Sequence, residues 1–228
     1  IGAIETYISE NAFEKGIKPE FKAEKNGKRV AIIGSGPSGI SAATFLLRRG
    51  FEVEMFERAN RAGGLLMYGI PGFKLNKETV TRRINWLIEA GMKLHLNCEI
   101  GKDKKVSDLE EEFDAIYLGI GATSSNKVNI EGENASNVHF AIDFLTGIQK
   151  RNLGDKNVEC INVEDKRVVV IGGGAGLNTV LRGLKNYTDN ITAIVTVSDY
   201  GEQRSKSKQD LGTLPLDDVK GSYVALAA

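Results

Sequence analysis

The sequence predicts an α/β fold built on parallel strands. Short β-branched segments alternate with helical segments along the chain, and this alternation is typical of a parallel sheet. One phrase also occurs twice, at Lys28–Gly39 and at Lys166–Gly176: a β-branched strand that ends in glycines and precedes a helix-like stretch. Such a turn brings backbone N–H groups and a helix N-terminus up to a phosphate. We therefore expect a Rossmann-like parallel sheet followed by a partial second Rossmann-like β-α-β unit.

Composition narrows the class of protein. Of 228 residues, 41% are hydrophobic and 26% are charged, which is ordinary for a globular chain. Thirty basic residues balance thirty acidic ones, so we expect no nucleic-acid or membrane partner. Only Cys98 and Cys160 are present, without a Cys-x-x-Cys pair, which argues against a metal or iron–sulfur site in this chain and for a reducing compartment. A cytoplasmic location follows, and the first residue, Ile1, suggests a processed or excised segment.

Helical periodicity, caps and glycine stops define the elements of the first half. We predict a lead-in helix at residues 3–15, a linker to residue 27, a strand at 29–34, a helix at 37–49, a strand at 51–56 and a helix between Asn76 and Gly91.

The second half continues the alternation. We predict a strand at 93–97, a short helix opened by a capping box at Ser107–Glu110, a buried-type strand at 115–119, a helix at 141–151, and a second β-α-β whose last strand is 191–197. The predicted domains are a lead-in at 1–27, an incomplete nucleotide-binding domain at 28–160, and a partial second unit at 161–228.

The first glycine phrase contains a full G-x-G-x-x-G. Gly34 permits the tight turn, Gly36 lets a pyrophosphate approach, and Gly39 allows helix and strand to pack closely. Glu57 follows at the end of the next strand, where a carboxylate can accept hydrogen bonds from ribose hydroxyls. The spacing predicts a dinucleotide site, and the alternative is a glycine-rich turn with a surface glutamate.

Residues 1 to about 171 resemble the glutamate synthase small (beta) subunit family, which includes the flavin half of dihydropyrimidine dehydrogenase. The resemblance rests on Gly2–Glu5, Gly34–Gly39, Phe56–Arg58, Gly63–Pro71, Phe73–Leu75, Gly119–Thr123 and His139–Leu145. It implies a first Rossmann unit that holds FAD and a second on which NADPH docks. One departure is Met67, where the family commonly carries arginine.

The resemblance implies FAD contacts from four segments of the first unit. The residues are Gly34, Gly36, Pro37, Ser38, Gly39, Glu57, Arg58, Gly63, Gly64, Leu65, Gly121, Ala122 and Thr123. Hydride transfer from nicotinamide to flavin is carried by the cofactors, so we expect no catalytic side chain and no metal site. The implied partner is a larger electron-transfer subunit or an iron–sulfur domain that is missing from this sequence.

The second glycine turn, Gly172, Gly173 and Gly174, is a second candidate nucleotide site, with NADP or NAD as the first ligand to consider. Its third motif position is Leu177, whose bulk we expect to push the helix away from the strand. The following strand ends in Ser198–Tyr200 rather than in the arginines that hold a 2′-phosphate.

Residues 166–228 resemble instead the N-terminus of the gluconeogenesis-factor family, which includes 2-phospho-lactate transferases. The resemblance rests on Val168–Leu177, Leu181–Lys185 and Ile191–Asp199, and continues in Asp210–Gly212, Leu214–Pro215, Asp218 and Val224–Ala227. It implies nucleotide or nucleotide-sugar binding at the glycine loop. The alternative is a polar surface loop, because only Asp199 and Gly201 of that family's next loop are retained.

Three functions stay open on the sequence. The first is an FAD-binding module of an NAD(P)H-dependent oxidoreductase, a flavoprotein of the glutamate synthase type. The second is a nucleotide or nucleotide-sugar binding regulatory protein of the gluconeogenesis-factor type. The third is a chimeric fragment without independent activity, joined at the shared glycine phrase.

Overall fold

The structure is a computed structural model that describes residues 2–18, 20–21, 23–122, 124–127, 129–196 and 216–227. The chain divides into two compact units, residues 1–126 and 127–228. The domain boundaries predicted after residues 27 and 160 stay a prediction.

The first unit is built on a four-stranded parallel sheet in the order β3-β2-β1-β4. Its strands are β1 Arg29–Ile33, β2 Glu52–Phe56, β3 Lys93–His95 and β4 Ala115–Leu118. Ile32 pairs with Met55 of β2 and with Tyr117 of β4. This order is that of a doubly wound Rossmann sheet, which confirms the predicted fold class.

Five helices accompany this sheet among the described residues. They are α1 Gly2–Glu14, α2 Pro37–Leu47, α3 Leu65–Tyr68, α4 Lys77–Glu89 and α5 Val106–Glu112. The predicted cap of α4 is present, because the Asn76 side chain accepts a hydrogen bond from the Glu78 N–H at 2.8 Å. Gly50 and Gly91 have positive φ angles of 79° and 102°, as expected of helix stops.

The first unit is packed on both faces of the sheet. Successive strand residues point to opposite faces, so Ile32 and Met55 join the cluster that contains Leu87 of α4. On the other face Phe56 packs with Phe113 in the cluster under α5. Both faces are therefore apolar, as parallel sheets require.

The capping box predicted at Ser107–Glu110 is wrong in its position. Helix α5 begins at Val106, and the Lys105 N–H donates to Asp108 Oδ2 at 3.3 Å. Asp108 takes the third helical position that the prediction gave to Glu110, and its carboxylate also faces the positive end of the helix dipole.

The prediction that β4 is a buried strand is also wrong. Leu118 is 68% exposed and Tyr117 is 38% exposed. Strand β4 pairs with β1 on one side and is the edge strand of the sheet formed by the described residues. An apolar strand sequence therefore does not by itself show that the strand is buried.

The lead-in helix forms as α1, but three of its large apolar side chains face outward. Ile4, Tyr7 and Ile8 are each more than 60% exposed. The helix is attached by its other end, where Glu10 pairs with Arg82 of α4.

The second unit contains the partial β-α-β that the sequence predicted. Its elements are α6 Ala141–Asn152, β5 Val168–Gly172, α7 Gly174–Leu184, β6 Ile191–Val195 and α8 Leu216–Ala227. Strands β5 and β6 are parallel, and Leu181 of α7 and Ala225 of α8 pack on one face of this pair. Within the described residues, none of the helices is both long enough and apolar enough to cross a membrane.

Candidate dinucleotide-binding site

The first glycine turn joins β1 to α2 and leaves no room for side chains at two of its positions. Gly34 has a φ of 98°, and a Cβ there would collide with the Gly119 carbonyl oxygen. A Cβ on Gly39 would collide with the Gly34 carbonyl oxygen. The turn, the start of α2 and the chain that leaves β4 therefore pack backbone against backbone.

Gly36 differs from its two neighbours in the motif. A Cβ there would meet nothing within 4 Å, so the space in front of this residue is open. Gly36 precedes α2, whose first residue is Pro37. The first N–H groups of a helix have no partner within it and carry partial positive charge, so an anion can approach here. Pro37 and Ser38 are both exposed.

Glu57 points inward, beside the glycine turn, and is only 7% exposed. Its Oε2 accepts the Ser35 N–H at 3.1 Å and also the Ser35 hydroxyl. Its Oε1 accepts the Ala59 N–H at 2.8 Å. A carboxylate has about four acceptor positions, so one remains for a ligand hydroxyl. Arg58, next in the chain, is exposed.

The Gly63–Leu65 segment lies against the glycine turn. The Gly63 N–H donates to Ser35 Oγ at 3.0 Å. A Cβ on Gly64 would be 3.0 Å from Gly36 Cα, and Gly63 and Gly64 both have positive φ. Leu65 opens α3 and is 50% exposed. Three of the predicted segments thus meet at one place.

The fourth segment follows β4. The Gly119 N–H donates to the Ile33 carbonyl oxygen at 2.8 Å, which holds this segment beside the turn. Gly121, with a φ of 64°, and Ala122 are exposed. Thr123 lies outside the described residues.

The sequence analysis missed three residues that contact these segments. Ser35 is completely buried, and the only signal for it was a small polar residue between two motif glycines. Tyr117 shares a hydrogen bond of 2.7 Å with Ser38 Oγ. Lys77 Nζ donates to the Leu66 carbonyl at 2.8 Å and to the Ile70 carbonyl.

Lys77 supports the chain between Leu66 and Ile70 electrostatically as well as by hydrogen bonds. Burial lowers its pKa, because removal from water disfavours the ammonium form. Its two carbonyl acceptors lie in and just after α3, where the negative end of a helix dipole favours a cation. Lys77 therefore ties the start of α4 to the chain that follows Gly64.

The second glycine turn is built differently from the first. Gly173 precedes α7, and Gly174 has a φ of 64°. Leu177, which was expected to push the helix away, is only 5% exposed and packs with Val170 and Ala193 between helix and strands; the wider spacing of helix and strand stays a prediction. A buried leucine thus takes the place of the close glycine contact. The predictions for Ser198–Tyr200 and for Gly201 lie outside the described residues.

The strand order, the glycine turn and the buried acid after β2 define a dinucleotide-binding module of the Rossmann class. The sequence profile of the pyridine nucleotide-disulphide oxidoreductase family matches residues 28–179. The chain belongs to this family.

Known relatives agree with this assignment. The glutamate synthase [NADPH] small chain of Escherichia coli is 42% identical over 178 residues, which are 76% of this chain and 38% of that protein. The same protein of Bacillus subtilis is 42% identical over 82% of this chain and 39% of its own length. This chain therefore spans about two fifths of the relatives that it matches.

A solved structure shows the same architecture. Mycobacterium tuberculosis FprA in complex with NADPH superposes with a TM-score of 0.60 and 26% identity, over 68% of this chain and 36% of that one. A further profile, that of 2-phospho-L-lactate transferase CofD, matches residues 168–228. The two profiles overlap on the second glycine phrase, which confirms the double resemblance seen in the sequence.

Proposed function

We propose that this chain is the FAD-binding part of an NAD(P)H-dependent oxidoreductase of the glutamate synthase small-chain type. It passes electrons from nicotinamide to flavin and on to a partner. The observation that carries the proposal is the meeting of three segments at one helix N-terminus: the turn at Gly34–Gly39, the buried Glu57, and Gly63–Leu65.

Each segment has its own task in binding the dinucleotide. The N-terminus of α2 and the open space at Gly36 would receive the pyrophosphate. The remaining acceptor position on Glu57 would take a ribose hydroxyl, and Gly63–Leu65 would lie on the flavin side. When bound, FAD supplies the electron-carrying chemistry, and the protein supplies binding and orientation.

The partner belongs to the proposal too. The relatives in Escherichia coli and Bacillus subtilis are called small chains, which supports a larger subunit as the electron acceptor. The alternative partner is an iron–sulfur domain. The cytoplasmic location stays a prediction.

The direct test is the absorbance spectrum of the purified protein, followed by a titration with FAD. We expect the visible absorbance bands of bound flavin, or saturable uptake of added FAD. Gly36→Ala places a methyl group where the pyrophosphate would sit. The methyl meets nothing in the protein itself, so the fold should persist while FAD affinity falls roughly tenfold to hundredfold, the cost of about 1–3 kcal/mol of overpacking.

Gly176→Ala is the matched control. It is also a glycine with open space at its Cβ, close to the start of a helix, but in the second unit. Its FAD affinity should equal that of the unsubstituted chain. A colourless protein that takes up no FAD would contradict the proposed function, and equal FAD affinity in Gly36→Ala would contradict the placement of the pyrophosphate.

A second candidate function rests on the second unit. The transferase profile over residues 168–228 and the glycine turn before α7 favour binding of a nucleotide or nucleotide sugar there. Thermal unfolding with and without a UDP-sugar measures this, because a ligand that binds the native state raises the transition temperature. An unchanged transition would remove the candidate and would leave the FAD proposal untouched.

A further inference from the structure

We propose that Ser35 is a positioning residue that locks the adenosine end and the flavin end of the site together. The proposal rests on the proposed FAD function and deepens it. Ser35 occupies the first variable position of the glycine motif, a position to which the motif itself gives no task. In the structure Ser35 forms hydrogen bonds to residues at both ends of the site.

The contacts of Ser35 run in two directions. Its hydroxyl donates to Glu57 Oε2, and its backbone N–H donates to the same oxygen at 3.1 Å. The hydroxyl oxygen accepts the Gly63 N–H at 3.0 Å. One side chain therefore links residues that lie 22 and 28 positions away in the chain.

Because these hydrogen bonds are buried, their loss is costly in free energy. Ser35 is 0% exposed and Glu57 is 7% exposed, so water cannot easily replace a lost partner. A buried polar group without its partner bears the full cost of desolvation. Removal of the hydroxyl would leave the Gly63 N–H without its acceptor and would free one acceptor position of the Glu57 carboxylate.

The geometry of Gly63 and Gly64 explains why this link affects the ligand. Both residues have positive φ angles, 123° and 53°, and a Cβ on Gly64 would approach Gly36 to 3.0 Å. The Gly63–Gly64 segment therefore lies beside the proposed pyrophosphate position, and it has little room to shift. The Ser35 hydroxyl accepts the Gly63 N–H and donates to Glu57, so the position of the start of this segment relative to Glu57 depends on that group.

The test compares Ser35→Ala with Ser41→Ala, an exposed serine on α2. We expect Ser35→Ala to bind FAD roughly tenfold to hundredfold more weakly, the effect of losing two buried hydrogen bonds. At saturating FAD its visible circular dichroism should also change, because the flavin-side segment is no longer pinned. Ser41→Ala should match the unsubstituted chain in both measurements. Equal affinity and an equal spectrum in Ser35→Ala would overturn the proposal.

A second measurement needs no flavin. Amide hydrogen exchange should accelerate at Gly63 and Gly64 in Ser35→Ala, and in the near-isosteric Ser35→Cys, while the core strands keep their protection. If the unsubstituted chain binds no FAD, the proposed function fails, and with it the ligand part of this inference. Unchanged exchange at Gly63 would overturn the structural link itself. Loss of protection throughout the first unit would also overturn it, because Ser35 would then serve the fold and not the position of one segment.

Discussion

At the scale of single residues, Glu54 in the middle of β2 is a carboxylate that three basic side chains surround. Burial raises the pKa of this carboxyl, but hydrogen bonds from Lys93, His95 and Arg29 outweigh it and hold the pKa at about 2. The carboxylate therefore stays ionised on a largely covered face of the sheet. The His95 ring also stacks on Phe56, so this histidine packs against the sheet as well as pairing with Glu54.

Glu54→Gln should lower the free energy of unfolding at pH 7. A pKa lowered from 4.5 to about 2 corresponds to about 3 kcal/mol, and because Arg29 and Lys93 lie partly in solvent we expect about 1–2 kcal/mol. A group with a lowered folded pKa stabilises above its unfolded pKa. The difference between the two proteins should be complete above about pH 4.5 and shrink as the pH falls toward about 2. Urea unfolding over this range measures it.

Glu52→Gln is the control on the same strand. Glu52 pairs with Lys25 in a solvent-exposed ion pair, so we expect a change within about 0.5 kcal/mol. A difference for Glu54→Gln that persists undiminished at low pH would show that lost packing, rather than lost charge, is responsible.

At the scale of elements, α1 is attached through a few contacts at its C-terminal end. The Arg82 guanidinium of α4 donates to both carboxylate oxygens of Glu10, at 2.9 and 2.5 Å, and lies 4.3 Å from the centre of the Phe13 ring. These contacts keep the pKa of Glu10 low. No residue of α1 is buried, so we infer that this attachment, and not a core, decides where the helix lies.

Arg82→Ala should release α1 while the sheet keeps its stability. Loss of a bidentate ion pair and a cation–π contact removes the main contacts that hold the helix. We expect amide exchange within α1 to accelerate roughly three- to tenfold, with little change in the unfolding of β1 and β2. Arg83→Ala is the matched control, because Arg83 stacks on Trp86 of its own helix. Equal acceleration in both variants would refute the attachment.

At the scale of the whole molecule, the chain combines two units of unequal character. The described FAD-binding candidates of the first resemblance all fall within residues 1–126, which hold the four-stranded sheet. Residues 127–228 hold a two-stranded parallel sheet with helices on one face. On its other face Val169, Ile171 and Ile194 are about half exposed or more, although parallel sheets are normally covered on both sides.

Leu181→Ala should therefore damage one unit only. Leu181 is completely buried in the cluster of the second unit, so its truncation should cost about 2–5 kcal/mol there. FAD affinity should stay unchanged, because the candidate site lies in the first unit. Hydrogen exchange of β5 and α7, measured together with an FAD titration, separates the two effects. Leu87→Ala, the equivalent truncation in the first core, should reduce FAD binding, and a loss of FAD affinity in Leu181→Ala would contradict the separation.

The sequence alone predicted the family and most of the elements, but not the helices α3 and α8. Helical and strand periodicities, the Asn76 cap and the glycine stops are local signals, because the residues that form them are neighbours in the sequence. The same holds for Gly34 and Gly39, because a glycine motif between strand and helix is itself a local pattern. The resemblance to two families could also be seen in the sequence, because it depends only on the order of the residues. The change from one family to the other falls at the second glycine phrase.

Only the tertiary structure decided what surrounds these elements. The sequence could not show that β4 is exposed, because cover depends on which chains lie beside a strand and not on the strand's own residues. It could not show that Leu177 fills a core, because that depends on β5 and β6 together. Nor could it show that Ser35 joins Glu57 to Gly63: a buried hydrogen bond is made by distance in space, and these residues become neighbours only when the strands pair.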